Sequence, residues 1–538
     1  MAPKNAPTSR AREPSLPAKL PRGGRKRSAR TAATAALLAA PRPGVPAHSV
    51  ATTRARELDL KYRKKFALAE VAYDTLEEKS LSELKQFVKD SRFEDMQLRP
   101  EILEGLLKIE GVKQPTEVQA VTMPSLLASP YGTFLCASET GTGKTLTFLV
   151  PVMNQLREEE ALHAQRAADR IAESGRRRAQ ALIGSIGADG SVQAAMDAAA
   201  RGEYETLRKR RCPRAIVLAP SRELVAQIAS VAKELAHSAK LRVLSVSHNL
   251  KRAELLQALD SGPVDLLITT PHTLHRLIAE FRVSLSHVRQ IVVDEVDVLL
   301  DASFNAKLKE IILIARDHAG QLGRPCGFTF VSATLSRTAV REIDSLFPVE
   351  LRRITTPGLH RTLPRVHQTF LRIDGSTTKP NMLLETLKRA VQTDERIIVF
   401  CNRVASAQTV AQLLRDKGYD VLELTSEVES RDRIASLERF SVRPVRRDAE
   451  GVPIDGSDPL PPLVIVATDL VARGLDLGVV AHVVMYDFPM TTIDYLHRAG
   501  RTARNGRRGK VTCLVGNKDR KMADLVQHGI RRNAVLAV

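Results

Sequence analysis

Tryptophan is absent, aromatic residues make up 4% of the chain, and cysteine occurs five times in 538 residues. So few rings leave Leu, Val, Ile and Ala to fill any core, and they exclude an aromatic-rich platform for reading RNA bases. The cysteines, Cys136, Cys212, Cys326, Cys401 and Cys513, are odd in number and widely spaced, with no C-x-x-C. That argues against a disulfide framework and against a zinc site, and it fits a reducing compartment. They read as small core hydrophobes. No apolar run approaches the ~20 residues of a membrane span; the longest near the start, Ala32 to Ala40, is about half that. No membrane partner is expected.

Positive charge is in excess. The formal charge is +20, and a soluble chain this basic usually meets a polyanion. The first fifty residues hold ten Lys or Arg and one acid, Glu13. Residues 1–55 therefore form a basic N-terminal segment, Arg- and Ser-rich and acid-poor, with the composition of a mitochondrial transit peptide. Arg25-Lys26-Arg27 offers a rival nuclear or nucleolar address, and a basic tail touching RNA without specificity is the plain reading.

From about Phe93 short apolar runs alternate with helical stretches: Phe134–Cys136, Ala215–Leu218, Val243–Val246, Leu266–Ile268, Ile291–Val293 and Phe328–Val331. These read as buried parallel strands of a doubly wound α/β sheet. The layout repeats at Ile397–Phe400, Val421–Leu424, Leu463–Val466, Val483–Met485 and Val511–Val515, with a boundary near Thr355–Pro364. Two α/β lobes in tandem are predicted, over 90–355 and 365–538. Residues 157–211, rich in Ala, Arg and Glu, read as a mostly helical, solvent-facing insertion with a loop near Gly184–Gly190. Residues 441–462, with Pro, Gly and Asp, read as an irregular loop.

Chemistry concentrates in three places. Ser138-Glu139-Thr140-Gly141-Thr142-Gly143-Lys144-Thr145 follows a strand-like run and precedes a helix-like one, Leu146 to Leu156. Glycines let the backbone N–H groups of such a loop point at phosphate oxygens, and the helix N-terminus favours the anion. Lys144 is expected to reach the β- and γ-phosphates of ATP, and the Thr145 hydroxyl to hold Mg²⁺. Asp294-Glu295-Val296-Asp297 follows Ile291-Val292-Val293, placing acids at the mouth of the sheet. Asp294 is the expected Mg²⁺ ligand, and Glu295 the base that orients and deprotonates water. Tyr495-Leu496-His497-Arg498-Ala499-Gly500-Arg501-Thr502-Ala503-Arg504 sets three arginines within seven residues of the second lobe. Planar guanidinium forks suit the charge of a departing γ-phosphoryl group, and they arrive only when the lobes close.

On these motifs the chain resembles the DEAD-box RNA helicases, with Asp-Glu-Val-Asp where the name-giving motif has Ala third. The resemblance runs from about Phe93 to Val515 and implies two tandem RecA-like doubly wound parallel-sheet lobes, ATP and Mg²⁺ as cofactors, and RNA as partner. Gly111 to Gln119 resembles the adenine-recognising motif, with Gln119 on the adenine edge and Phe93 packed near the base. Pro220 to Gln227, with Pro220 and Arg222, resembles a first RNA-backbone motif, and Thr270-Pro271 a second. Ser332-Ala333-Thr334 resembles the motif that couples hydrolysis to lobe arrangement, in which Asp297 and His497 join Ser332 and Thr334. Val399 to Asn402 and Ala467 to Asp476 resemble second-lobe motifs. They imply Thr468 and Arg473 on RNA, Asp476 on the ribose, and Arg501 and Arg504 facing the γ-phosphate. Departures fall on the RNA face: His248-Asn249 and His272-Thr273 replace glycine-containing pairs.

The reading that follows is an RNA-dependent ATPase that remodels structured RNA. With the N-terminal segment, it resembles the fungal mitochondrial helicases of large-ribosomal-subunit assembly, which implies the matrix, ribosomal RNA and ribonucleoprotein particles. Mitochondrial RNA processing or splicing, a nonenzymatic assembly factor and a DNA helicase are the alternatives.

Overall fold

The computed structural model describes residues 78–182, 208–246, 252–300, 305–349, 351–357, 359–360, 365–374, 377–391, 396–441, 464–469, 477, 480–503, 508–531 and 536. The basic N-terminal segment, the predicted loop near Gly184–Gly190, most of the 441–462 segment, His248-Asn249, and Arg473, Asp476 and Arg504 lie outside these residues.

Two all-parallel sheets are present. The first comprises β1 (Thr133–Ala137), β2 (Ala215–Leu218), β3 (Val243–Val246), β4 (Leu266–Thr269), β5 (Gln290–Val293), β6 (Gly327–Ser332) and β7 (Leu351–Thr355), in the order β3-β4-β2-β5-β6-β1-β7. The second comprises β8 (Val366–Arg372), β9 (Ile397–Cys401), β10 (Val421–Leu424), β11 (Val464–Thr468), β12 (His482–Met485) and β13 (Gly509–Val515), in the order β10-β11-β9-β12-β13-β8. Parallel strands need helical crossovers, which cover both faces and make the strands apolar throughout. In lobe one Ile216, Leu218, Ile291 and Val293 pack toward Leu274, Leu277 and Ile311. Ala215, Val217 and Val292 point the other way, toward Val225, Ile228 and Leu235. The tandem-lobe expectation holds.

Two strands escaped the sequence reading. β7 carries Arg352 and Arg353 outward, and β8 holds His367, Gln368 and Thr369 in its first half and ends on Arg372. Each is an edge strand, paired on one side only, with β1 and with β13 respectively. An edge strand keeps polar side chains that a central parallel strand cannot, so neither makes the continuous apolar run that marks the others.

The 157–211 segment also needs correction. The helix after the phosphate loop does not stop at Leu156 but runs unbroken from Lys144 to Leu182, and its stretch at 157–160 is not solvent-facing. Glu159 and Glu160 are buried at 8% and 6% exposure, and Arg214 and Asp265 at 1% and 0%. Arg214 donates to Glu160, to Glu159 Oε2 at 3.1 Å and to the Leu156 carbonyl at 2.7 Å. Arg157 and Arg208, near opposite ends of the segment, both bind Glu160 as well. Burial works to neutralise Glu159, yet Arg214 and Arg289 outweigh it and hold that carboxyl below its usual range. At Asp265 burial wins over Arg208 and Arg214, and the carboxyl rises.

Cys136, Cys212, Cys401 and Cys513 are buried, Cys326 is half-buried, and all are free. Burial pushes the Cys136, Cys326 and Cys401 thiols up to about 12, so these are inert core residues. Among the described residues no helix is long and apolar enough to cross a membrane.

Candidate active site between the lobes

Every strand of the first sheet points its C-terminal end the same way, so the loops after β1, β5 and β6 converge at one mouth. The loop after β1 curls at Gly141 and Gly143, at φ 76° and 92°. Glycine populates that region without penalty, and a Cβ on Gly143 would sit 2.7 Å from Gln119 Nε2. Ser138 Oγ lies 2.9 Å from Thr142 Oγ1, and Thr142 Oγ1 donates to the Glu139 carbonyl. Lys144 Nζ donates to the Ser138 and Glu139 carbonyls at 3.0 and 2.7 Å. Its charge therefore sits inside the curl, where a phosphate oxygen could replace the carbonyls. Thr145 is the second residue of the helix that Lys144 begins.

Asp294 and Glu295 follow β5, each 5% exposed. Burial first, and then the neighbouring Glu295 charge, raise the Asp294 carboxyl to about 7, while Lys144 opposes the rise. A buried carboxylate pair of this kind calls for a cation. Glu295 adopts φ 49° at the start of the short helix Val296–Leu299, an uncommon left-handed geometry for a non-glycine residue. Its Oε2 is buried with no hydrogen-bond partner.

Asp297 lies in hydrogen-bonded contact with Ser332 and Thr334, next to His497. Its Oδ1 accepts from Ser332 Oγ at 2.7 Å, and its Oδ2 from Thr334 Oγ1. Thr334 Oγ1 lies 3.1 Å from His497 Nε2 on the second lobe, and that nitrogen lies 3.5 Å from Asp297 Oδ2. Two more contacts join the lobes. Thr140 Oγ1 donates to the Gly500 carbonyl at 3.1 Å, and Arg433 of the Ser430–Ser441 helix binds Glu223 at 2.8 Å. Glu223 stands beside Arg222 in the helix Arg222–Ala239, so a buried ion pair anchors this helix to lobe two.

A methyl at Gly500 would come within 1.8 Å of Thr140 Oγ1. Overpacking of this kind costs roughly 1–3 kcal/mol. Gly500→Ala should therefore lower the rate of ATP hydrolysis by about ten-fold or more. Adding Thr140→Ala, which removes the first atom the methyl meets, should recover part of the loss in a steady-state assay. An unchanged Gly500→Ala rate would show that the two loops need not touch during turnover.

The other predicted residues fall as follows. Gln119 accepts from the Thr116 N–H and donates to the Gly143 carbonyl at 3.1 Å, so it links its own helix start to the phosphate loop. Phe93 is wholly buried in the core. Pro220 precedes Ser221, whose hydroxyl caps the Arg222–Ala239 helix. Thr270 caps the helix that Pro271 begins, accepting from the Thr273 N–H at 3.3 Å. Thr468 ends β11. Pro220, Thr270 and Thr468 all stand at or just past the C-terminal ends of their strands.

Of the three clustered arginines, Arg501 is 2% exposed and donates from Nε to the His497 carbonyl at 3.0 Å. Arg498 is not a phosphate ligand here. Its fork binds both Asp469 oxygens at 2.7 and 2.6 Å and reaches the Asp487 carbonyl and Asn402 Oδ1. It knits three second-lobe segments together.

His360 was missed altogether. It lies past the end of β7 at φ 61°, and its Nε2 accepts from the Leu335 N–H at 2.8 Å, beside Thr334. Its carbonyl accepts from Leu536 N near the end of the chain. Nothing in local spacing marks such a histidine. Burial lowers its pKa to about 4, so the ring is neutral in the fold. The unfolded chain takes up a proton below its ordinary pKa of about 6.5, so stability falls as pH drops from there toward 4. By linkage the loss at pH 5 relative to pH 7 is about 2 kcal/mol. His360→Gln, which keeps an acceptor and cannot titrate, should flatten that part of a denaturant-measured profile. Parallel profiles for the two proteins would rule the assignment out.

Comparison with known proteins agrees with this geometry. Residues 116–343 match the family described as DEAD/DEAH box helicase, and residues 378–506 match the helicase conserved C-terminal domain. DEAD-box ATP-dependent RNA helicase 39 of Arabidopsis thaliana is 29% identical over 463 residues, 86% of this chain and 64% of the plant protein. ATP-dependent RNA helicase MRH4, mitochondrial, of Pyricularia oryzae is 34% identical over 473 residues, 78% of this chain and 69% of the fungal one. The chain thus spans about two thirds of the length of both. Among solved structures, DEAD-box helicase Mss116 bound to ssRNA and UDP-BeF superposes with a TM-score of 0.64 at 20% identity, covering 83% of this chain and 78% of that one. It shares the fold.

Proposed function

The chain belongs to the DEAD/DEAH box helicase family and is an ATP-dependent RNA helicase; from that premise we propose that it acts in the mitochondrial matrix, remodelling ribosomal RNA during assembly of the large ribosomal subunit. The observation that carries the enzymatic reading is the buried chain Ser332–Asp297–Thr334–His497, which joins the hydrolytic strand of one lobe to the arginine helix of the other. A centre split this way is complete only when the lobes are together, and a polyanion laid across both lobes favours that arrangement.

The roles follow from position. Lys144 exchanges the carbonyls of its own loop for β- and γ-phosphate oxygens. Glu295, with one oxygen free and buried, orients water and takes its proton. Arg501, with Arg504 beside it in sequence, stabilises charge on the departing phosphoryl group. Asp294 and the Thr145 hydroxyl are hard oxygen donors that fit Mg²⁺, and the raised Asp294 pKa is what a cation would relieve. Bound there, Mg²⁺ would neutralise charge shared by the β- and γ-oxygens. Arg222 and the helix starts at Ser221 and Thr270 offer donors to an RNA backbone, which needs no base code.

The matrix assignment is supported by the acid-poor first fifty residues and by the mitochondrial name of the Pyricularia relative. The ribosomal assignment rests on the family likeness of the basic, divergent chain. Tagged at its C-terminus, the protein should colocalise with mitochondria, and ultraviolet crosslinking should recover large-subunit ribosomal RNA. Depletion should shift that RNA to lighter sedimenting particles. Crosslinks confined to intron-containing messengers would replace the ribosomal reading with one in splicing.

A further inference from the structure

We propose that lobe one carries a second contact for single-stranded RNA, at the end of the sheet opposite the ATP site, with Phe281 as a stacking ring and Lys209, Arg210 and Arg282 as phosphate donors. Phe281 is 91% exposed and sits at φ 54°, just past the helix Pro271–Ala279. Its N–H donates to the Ile278 carbonyl, and the next N–H, of Arg282, to the Leu277 carbonyl. This is the left-handed helix stop where glycine is preferred. A bulky residue there carries backbone strain, and strain of this kind gathers at functional sites. Phenylalanine here neither relieves the backbone nor enters the core.

The surroundings are basic. Arg211, also left-handed at φ 59°, grips both oxygens of Asp260 at 2.6 and 2.7 Å. The Arg211 carbonyl accepts from the Ser284 N–H at 2.9 Å, which stitches this turn to the Phe281 segment. Asp260 feels Arg210 and Arg282 as well as Arg211, so these charges share one corner. Lys209 and Arg210 are exposed. The acids of these segments are Asp260, which Arg211 already neutralises, Asp265, which is buried against Arg214, and Glu280.

The three segments lead into β2, β4 and β5 at their N-terminal ends, whereas the phosphate loop, Asp294, Ser221 and Thr270 follow C-terminal ends. Four-residue strands separate the two edges by about 13 Å. The corner is therefore outside the cleft, although a strand emerging from the cleft could reach around to it. An exposed ring flanked by cations is what a sequence-tolerant single-strand site needs, because every base has a π-face and every linkage a phosphate. A chain of net charge +20 that acts on RNA supplies the fitting partner.

This inference rests on the RNA-helicase reading, and the test separates the two. Affinity of the full chain is measured by fluorescence anisotropy for a short oligouridylate that fills only the cleft and for one about three times longer. Phe281→Gly should weaken the longer RNA about five-fold or more, leave the shorter RNA and its ATPase stimulation unchanged, and leave the melting temperature equal or higher. Lys209→Ala with Arg210→Ala should weaken the longer RNA and reduce the log–log salt slope by about 1.4. No loss on the longer RNA, or equal loss on both lengths, overturns the proposal. Unchanged long-RNA binding with lost binding of polyglutamate would assign the corner to an acidic protein instead. Failure of the shorter RNA to bind or stimulate the unaltered chain would strike the helicase reading itself.

Discussion

Glu295→Gln should lower the turnover of ATP hydrolysis about 100- to 10,000-fold, the range that general-base removal costs, while ATP and RNA still bind. The substitution keeps size and shape, so the left-handed backbone at φ 49° and the Asp294 contact to its N–H at 3.0 Å persist. What changes is the free, buried Oε2, because an amide cannot take a proton from water. Asp294 then loses the like charge beside it, and metal and nucleotide should bind at least as tightly as before. Single-turnover hydrolysis with saturating RNA, together with nucleotide affinity, reads both effects. A loss of less than ten-fold in the chemical step would move the base to another residue. Weakened nucleotide binding would mean that the carboxylate serves chiefly as a ligand.

Arg214→Met should cost lobe one about 3–5 kcal/mol, the usual result of stranding buried charges, or roughly 10 °C in Tm. The guanidinium is 1% exposed and holds Glu159, Glu160 and Asp265 at once. Methionine fills similar volume and satisfies none of them. The stranded carboxylates would then rise in pKa and take up protons. The deficit relative to the unaltered protein should therefore shrink as pH falls below about 5. At a temperature where the variant is folded its ATPase should be nearly normal, because the cluster lies at the strand ends away from the phosphate loop. An equal melting point would show that Arg157, Arg208 and Arg289 suffice to balance these acids.

Much of this architecture was legible in the chain. Central parallel strands such as Ala215–Leu218 and Ile397–Cys401 are buried on both faces, so they must be continuous apolar runs, and they betray themselves. The phosphate loop and Asp294–Asp297 were legible because backbone geometry and charge there restrict residue choice. β7 and β8 were not, because Arg352 and Arg353 in one and His367, Gln368 and Thr369 in the other interrupt the apolar run. Glu159 and Glu160 read as surface residues because composition cannot show that Arg214 lies fifty-odd residues away waiting for them. His360 and Glu223–Arg433 depend on how two lobes meet, which no local pattern encodes.

The grip of Arg157 and Arg208 on one carboxylate, Glu160, has a consequence for variation. The chain leaves the lobe and re-enters it through a single knot, like the drawstring of a purse. A change of length between Leu182 and Arg208 should leave the grip on Glu160 intact. An engineered cargo spliced in past the knot should ride along without disturbing turnover.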